Sequence, residues 1–238
     1  MAKKAIVKAE SGALAVPDYI NAQDTAGKEN IGQEDISLPR LGLAQALSPE
    51  VQKNEANYIE GCGAGDLFNT LTRENYGETV PVVVVRAEVP RWVEFYPRDS
   101  KEGSGIKDPN VPAGDPRTAW VDDNPPVATQ FRDYLCLHGE TGEPLGLSLK
   151  GTSLKAAKDL NSFIKLFPGP SFAKVYHVTA VSRKNEKGTF YVYKFQPAEG
   201  FTPEAIYRSA EQLSRSWANA KVTIEAEGKD DMKDEVPF

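Results

Sequence analysis

Residues 127–167 read VATQFRDYLCLHGETGEPLGLSLKGTSLKAAKDLNSFIKLF, and the period of this stretch changes twice. Residues 127–138 alternate, with Val127, Phe131, Leu135 and Leu137 on one side, as a half-buried strand does. Gly139 to Gly142 is a turn. Residues 144–150 alternate again, with Leu145, Leu147 and Leu149 facing together. From Ser153 the spacing becomes helical: Leu154, Ala157, Leu160 or Asn161, Ile164 and Phe167 line one face, and Pro168-Gly169-Pro170 stops it.

Upstream, residues 79–96 are rich in valine and aromatics and predict one long strand or a bent strand pair. Downstream, residues 172–182 and 189–196 predict two strands joined by a hairpin-like loop over 183–188. Thr202-Pro203-Glu204 predicts a helix start with a capping threonine, and Ile206, Ala210, Leu213 and Trp217 have the spacing of its inner face. A short strand over 221–224 completes the series. Strand, strand, strand, helix, strand, strand is the chain order of an OB-fold. The expected class is a β-rich α+β fold: an OB-fold-like barrel with N-terminal additions, a C-terminal helix and a disordered acidic tail. Residues 1–35 read as a flexible arm, 36–224 as the OB-like domain, 97–126 as a long insertion loop crowded with Gly, Pro and Asp, and 225–238 as the tail. In such a barrel the loops 97–126 and 183–188 flank the ligand groove.

Composition narrows the function classes. No run approaches the roughly 20 apolar residues of a membrane helix, and the basic N-terminus lacks the apolar stretch of a secretory signal. Two cysteines, Cys62 and Cys136, make neither a disulfide framework nor a four-thiolate zinc site. The expectation is a soluble protein of a reducing cytoplasm, the host's if the chain is viral. The net charge of -6 is segregated. Residues 150–194 hold nine basic residues against Asp159 and Glu186, a net +7, and residues 225–238 carry a net -4 before the terminal carboxylate.

The last residues, Lys229-Asp-Asp-Met-Lys-Asp-Glu-Val-Pro-Phe238, resemble the C-terminal tip of bacterial single-stranded DNA-binding proteins, an acidic run followed by Ile-Pro-Phe. They are similar in kind to the T7-type phage counterparts, which end in an acidic run and a Phe. The matched residues are Asp230, Asp231, Asp234, Glu235, Val236, Pro237 and Phe238; Lys229 and Lys233 dilute the acidity. The resemblance implies a partner-binding tail: Phe238 enters an apolar pocket while the acids meet its basic rim. Replication or recombination proteins (a polymerase, helicase or nuclease) are the expected partners. The same tail can lie across a basic groove and compete with DNA. Residues 38–51 and 65–69 look like replication-associated proteins of phage genomes.

Single-strand binding without sequence preference needs aromatic platforms for bases and a basic groove for phosphates. The candidates interleave both types: Arg91, Trp92, Tyr96, Arg98, Trp120, Arg132, Tyr134, Lys150, Lys174, Tyr176, Arg183, Lys184, Lys187, Tyr191 and Tyr193. Arg132 and Tyr134 are expected opposite the apolar face of their strand, with Ser148 and Lys150 continuing that surface. Tyr191, Tyr193 and Phe195 equally fit a core face; Trp92 and Phe95 lean to the core, and Trp217 is a core residue. No phosphate-binding Gly-x-x-x-x-Gly-Lys-Ser/Thr loop is present, and 61–66 lacks the strand and helix of a dinucleotide site. His138 and His177 have no cysteine cluster beside them, and Asp122-Asp123 sit in a loop among prolines. No catalytic residue, cofactor or metal is expected. The expected function is to coat and protect single-stranded DNA in phage replication or recombination, with homo-oligomerisation open. The alternatives are a partner-docking or host-factor-inhibiting protein, a strand-annealing protein and a nuclease.

Overall fold

Val82-Val83-Val84-Val85 form the middle of strand β4 (Thr79–Ala87), and all four side chains are buried. A strand buried on both faces needs a layer on each side, and the computed structural model supplies both. It describes residues 21, 26–30, 37–97, 100–186 and 188–217. The chain divides into a unit over 1–36 and a unit over 37–238. Every strand and helix of the described residues lies in the second unit.

Its main sheet is antiparallel. Beside β4 stand β5 (Arg91–Phe95), β6 (Ile106–Val111), β7 (Ala128–His138), β8 (Pro144–Lys150), β9 (Val175–Asn185) and β10 (Gly188–Pro197). The order is β10-β9-β4-β7-β5-β6, with β8 also paired to β7. β4 changes partner along its length: residues 79–83 pair with β9 and residues 82–87 with β7, a bulge between Val84 and Arg86 absorbing the bend. The expected long strand or bent pair is thus β4 and β5.

Helix α1 (Leu154–Leu166) covers one face, burying Ala156, Ala157 and Leu160 against Val82, Val84, Tyr134, Cys136, Leu145, Leu147, Leu149, Tyr176 and Phe195. It ends where Phe167 turns extended before the Pro-Gly-Pro. Helix α2 (Glu204–Trp217) covers the other, setting Ile206 and Ala210 against Val83, Val85, Leu135 and Leu137. The expected threonine cap is corrected: the buried Thr202 hydroxyl makes no hydrogen bond among the described residues. The Thr202 N–H donates instead to the Ala173 carbonyl (3.1 Å), tying the helix start to the foot of β9.

A three-stranded sheet, β1 (Leu41–Leu43), β2 (Leu67–Asn69) and β3 (Asn75–Gly77), precedes these elements. Gly42 is required there, because a Cβ would meet the Phe68 ring at 2.4 Å. Among the described residues β8 and β10 do not pair, so the main sheet does not close on itself. Residues 39–45 touch both strands. The Gly146 N–H donates to the Pro39 carbonyl (2.7 Å), and Arg40 bridges Gly146 in parallel. The Gln45 amide donates to the Tyr191 carbonyl (3.0 Å), and its oxygen accepts from the Tyr191 N–H (2.8 Å). The protein is therefore a β-rich α+β fold. Within 97–126, expected as a loop, β6 pairs with β5 and a 3-10 turn forms over Pro116–Thr118.

Candidate nucleic-acid interface

Strand register sorts the candidate residues by face. Across β7 and its neighbours Phe131 stands opposite both Arg91 and Lys150, and Asp133 opposite Ser148, so these five share one face. Arg132 stands opposite Leu149, and Trp92 opposite Gln130, on the reverse face. The expectation that Ser148 and Lys150 continue the Arg132–Tyr134 surface is corrected. Both faces of β7 are covered from Tyr134 to His138, so apolar alternation does not reveal which side is free.

On the first face the side chains converge. The Arg91 guanidinium carbon lies 4.5 Å from the centre of the Phe131 ring, and the Lys150 ammonium 5.6 Å from it. Lys150 is also 6.0 Å from the Phe95 ring, which meets Phe131 at 6.2 Å with a 39° tilt. Beneath them the Asp133 carboxylate, only 4% exposed, accepts from Arg91 Nε on one oxygen and from the Ser148 hydroxyl on the other. A buried carboxylate needs such partners to offset its lost hydration. Arg91 Nη2 is buried and has no hydrogen-bond partner among the described residues. Attraction between cations and ring faces and the Asp133 anchor fix a planar cation on an aromatic ring at the surface of the sheet.

The other candidates take different places. Tyr134 and Tyr176 are each 1% exposed, packed in the core under α1, and are corrected from groove residues to packing residues. The Tyr134 hydroxyl donates to Asn161 Oδ1 at 3.0 Å, and burial raises its pKa to about 12. Tyr191 and Tyr193 face the N-terminal segment. The Tyr191 ring lies on Gly65, where a Cβ would meet it at 2.8 Å, and the Tyr193 hydroxyl donates to the Leu41 carbonyl at 2.9 Å. The Lys174 ammonium donates to the Ala198 (2.9 Å) and Gly200 (2.7 Å) carbonyls, latching the β10–α2 loop. The Tyr96 ring packs over Gly103. Arg183 and Lys184 are exposed at the β9–β10 hairpin. Arg98, Lys187, the side chain of Trp217, the strand over 221–224 and the tail residues Asp230, Asp231, Asp234, Glu235, Val236, Pro237 and Phe238 lie outside the described residues.

Two cations of the insertion, Arg117 and Lys107, are engaged by carboxylates. Arg117 contacts Glu94 (2.7 Å), Asp108 (2.9 Å) and Asp115 (2.8 Å), and Lys107 contacts Glu94 (2.7 Å). Trp120 projects beyond this network, 69% exposed, with Val121 at 57%. Asp122 and Asp123 follow, both at positive φ (48° and 64°), in a tight turn closed by the Val121–Asn124 bridge.

Sequence reasoning passes over Asp133, puts Phe131 on the apolar face, leans Phe95 to the core, and places Ser148 on the binding surface but beside the wrong partners. The usable signal is register: the Gly139–Gly142 turn sets which β8 residue meets which β7 residue. Among the described residues no group of three His, Cys, Asp or Glu is placed to hold a metal ion. No described helix is long and apolar enough to cross a membrane. Burial pushes the Cys62 thiol up to about 11 and the Cys136 thiol to about 12, so both stay protonated at neutral pH.

Residues 8–223 match the family model described as Pam3 phage gp34-like protein. No curated protein matches the chain, and no solved structure does.

Proposed function

The chain belongs to the Pam3 phage gp34-like family, and from that premise we propose that it is a phage single-stranded DNA-binding protein that recruits partners through its acidic tail. The observation that carries this reading is the convergence of Arg91 and Lys150 on Phe131 and Phe95. Single strands offer exposed bases and a continuous line of phosphates; cations seated over the buried Phe131 ring, beside the partly exposed Phe95, give a surface that can meet both.

The topology supports an OB-like reading. β4, β7, β8, α1, β9 and β10 follow the OB chain order, and β4 is shared between β7 and β9. Residues 39–45 stand where closure would otherwise join β8 to β10. In that reading β7 and β8 form the binding face, flanked by the 97–126 insertion and by the tip of the β9–β10 hairpin, whose strands run on through the residues expected as a 183–188 loop. The charge segregation supports a competing tail: its net -4 complements the +7 of residues 150–194.

The test is fluorescence anisotropy of a labelled oligo-dT strand at two salt concentrations, with the full chain and a chain ending at Ile224. Binding that weakens with salt and tightens on truncation is the expected result. Absence of binding by either chain at low salt overturns the proposal. A second reading, a partner-docking protein, is favoured by one observation: the exposed Trp120–Val121 tip is flanked by Asp122 and Asp123, a charge that repels phosphate and suits a basic protein surface. Loss of a partner pull-down in W120A with unchanged DNA affinity would support it.

A further inference from the structure

We propose that Arg91, seated over the Phe131 ring, is a base-stacking platform and not a phosphate clamp, so that this part of the interface takes a nucleobase. The inference rests on the DNA-binding reading and says what its central cation does.

A guanidinium grips phosphate through a two-pronged edge, either Nε with one Nη or the two Nη groups together. In Arg91 the Nε hydrogen is committed to Asp133. Nη2 is buried with no hydrogen-bond partner among the described residues. Both forks use Nη2, so neither is presented to a ligand. What Arg91 offers instead is a planar cation over an aromatic ring, 4.5 Å from its centre, with 17% of the side chain in solvent. Planar cations stack on π-faces as aromatic rings do. A base laid on the outer side would complete a Phe131–Arg91–base stack.

Asp133 and Ser148 act through Arg91. Asp133 is 4% exposed, too buried to meet a strand, and accepts from both Arg91 and the Ser148 hydroxyl. They are positioning residues: Ser148 fixes the carboxylate, and the carboxylate fixes the plane of the guanidinium. Lysine at position 91 would keep the charge and lose the plane.

The test compares two strands of equal length: oligo-dT, and an all-abasic strand with the same phosphates and no bases. The quantity read is the ratio of the two dissociation constants for one protein. A partly unfolded variant binds both strands less, so the ratio is insensitive to the folded fraction. The wild type is expected to prefer oligo-dT, and R91K to reduce that preference by about 5- to 150-fold, the effect of one lost stack. S148A is expected to reduce it in the same direction by less. Should R91K bind neither strand, S148A decides, and a wild-type ratio in that variant overturns the inference. A wild-type ratio in R91K overturns it as well, since position 91 would then be reporting charge alone. Equal binding of both strands by the wild type overturns this inference and leaves the DNA-binding reading standing. A wild type that binds neither overturns both.

Discussion

Tyr134 places a hydroxyl inside an apolar core, and the α1 residue beside it explains why that is tolerated. The O–H donates to Asn161 Oδ1 at 3.0 Å. In Y134F the ring still fills its space, but Asn161 loses its donor. The expected cost is about 1 kcal/mol, read as a lower urea midpoint with an unchanged slope. Leu160 on the same helix is fully buried, and L160A should cost about 2–5 kcal/mol by leaving a cavity. A variant L160A as stable as the wild type would mean that α1 does not hold the core. These residues also show how sequence reading fails locally. Arg132, Tyr134 and Tyr176 look alike in the sequence, each on an alternating strand with apolar neighbours. Only the position of α1 over the sheet separates the two buried tyrosines from the partly exposed Arg132, and period-2 spacing does not encode it.

At the scale of elements, strand and helix order was legible because each period is local: β7, the turn, β8 and α1 stand where residues 127–167 put them. The insertion was not, because its ion pairs, Glu94 with Arg117 and Lys107 and Asp108 with Arg117, join residues that no local period relates. Glu94 on β5, Asp108 on β6 and Asp115 converge on Arg117, which also receives the Asp115 side chain as a cap on its own N–H (2.9 Å). Hydrogen bonds from Arg117 hold Asp115 down from 3.8 to about 2; Glu94 is lowered first by Lys107 and then by Arg117, and Asp108 first by the Asn110 N–H and then by Arg117. A carboxylate whose pKa is lower in the folded lobe stabilises it fully above its unfolded value. That contribution fades as pH falls from about 4 toward 2. R117A should therefore expose residues 97–126 to pepsin at pH 4. The difference between wild type and variant should narrow toward pH 2, where the wild type loses the same pairs. Equal cleavage at pH 4 would mean that backbone pairing of β5 with β6 suffices to order the lobe.

At the scale of the whole 37–238 unit, the unusual element is the segment that stands between β8 and β10. Gln45 does with a side-chain amide what a neighbouring strand does with a peptide: it donates to the Tyr191 carbonyl and accepts from the Tyr191 N–H. The Tyr193 hydroxyl reaches the Leu41 carbonyl two residues further along β10. No periodicity in residues 36–47 signals such a contact, since it joins positions 146 residues apart. If the segment is what protects this edge, Q45A leaves the Tyr191 amide open to water, while hydrogen bonds between β9 and β10 stay intact. The expected loss of stability is about 1–2 kcal/mol for the two bonds together. The more specific readout is amide hydrogen exchange: Tyr191 should exchange faster in Q45A, by local opening and not global unfolding. Unchanged protection at Tyr191 would show that the Gly65 contact with the tyrosine ring already shields that edge, and that Gln45 is incidental to it.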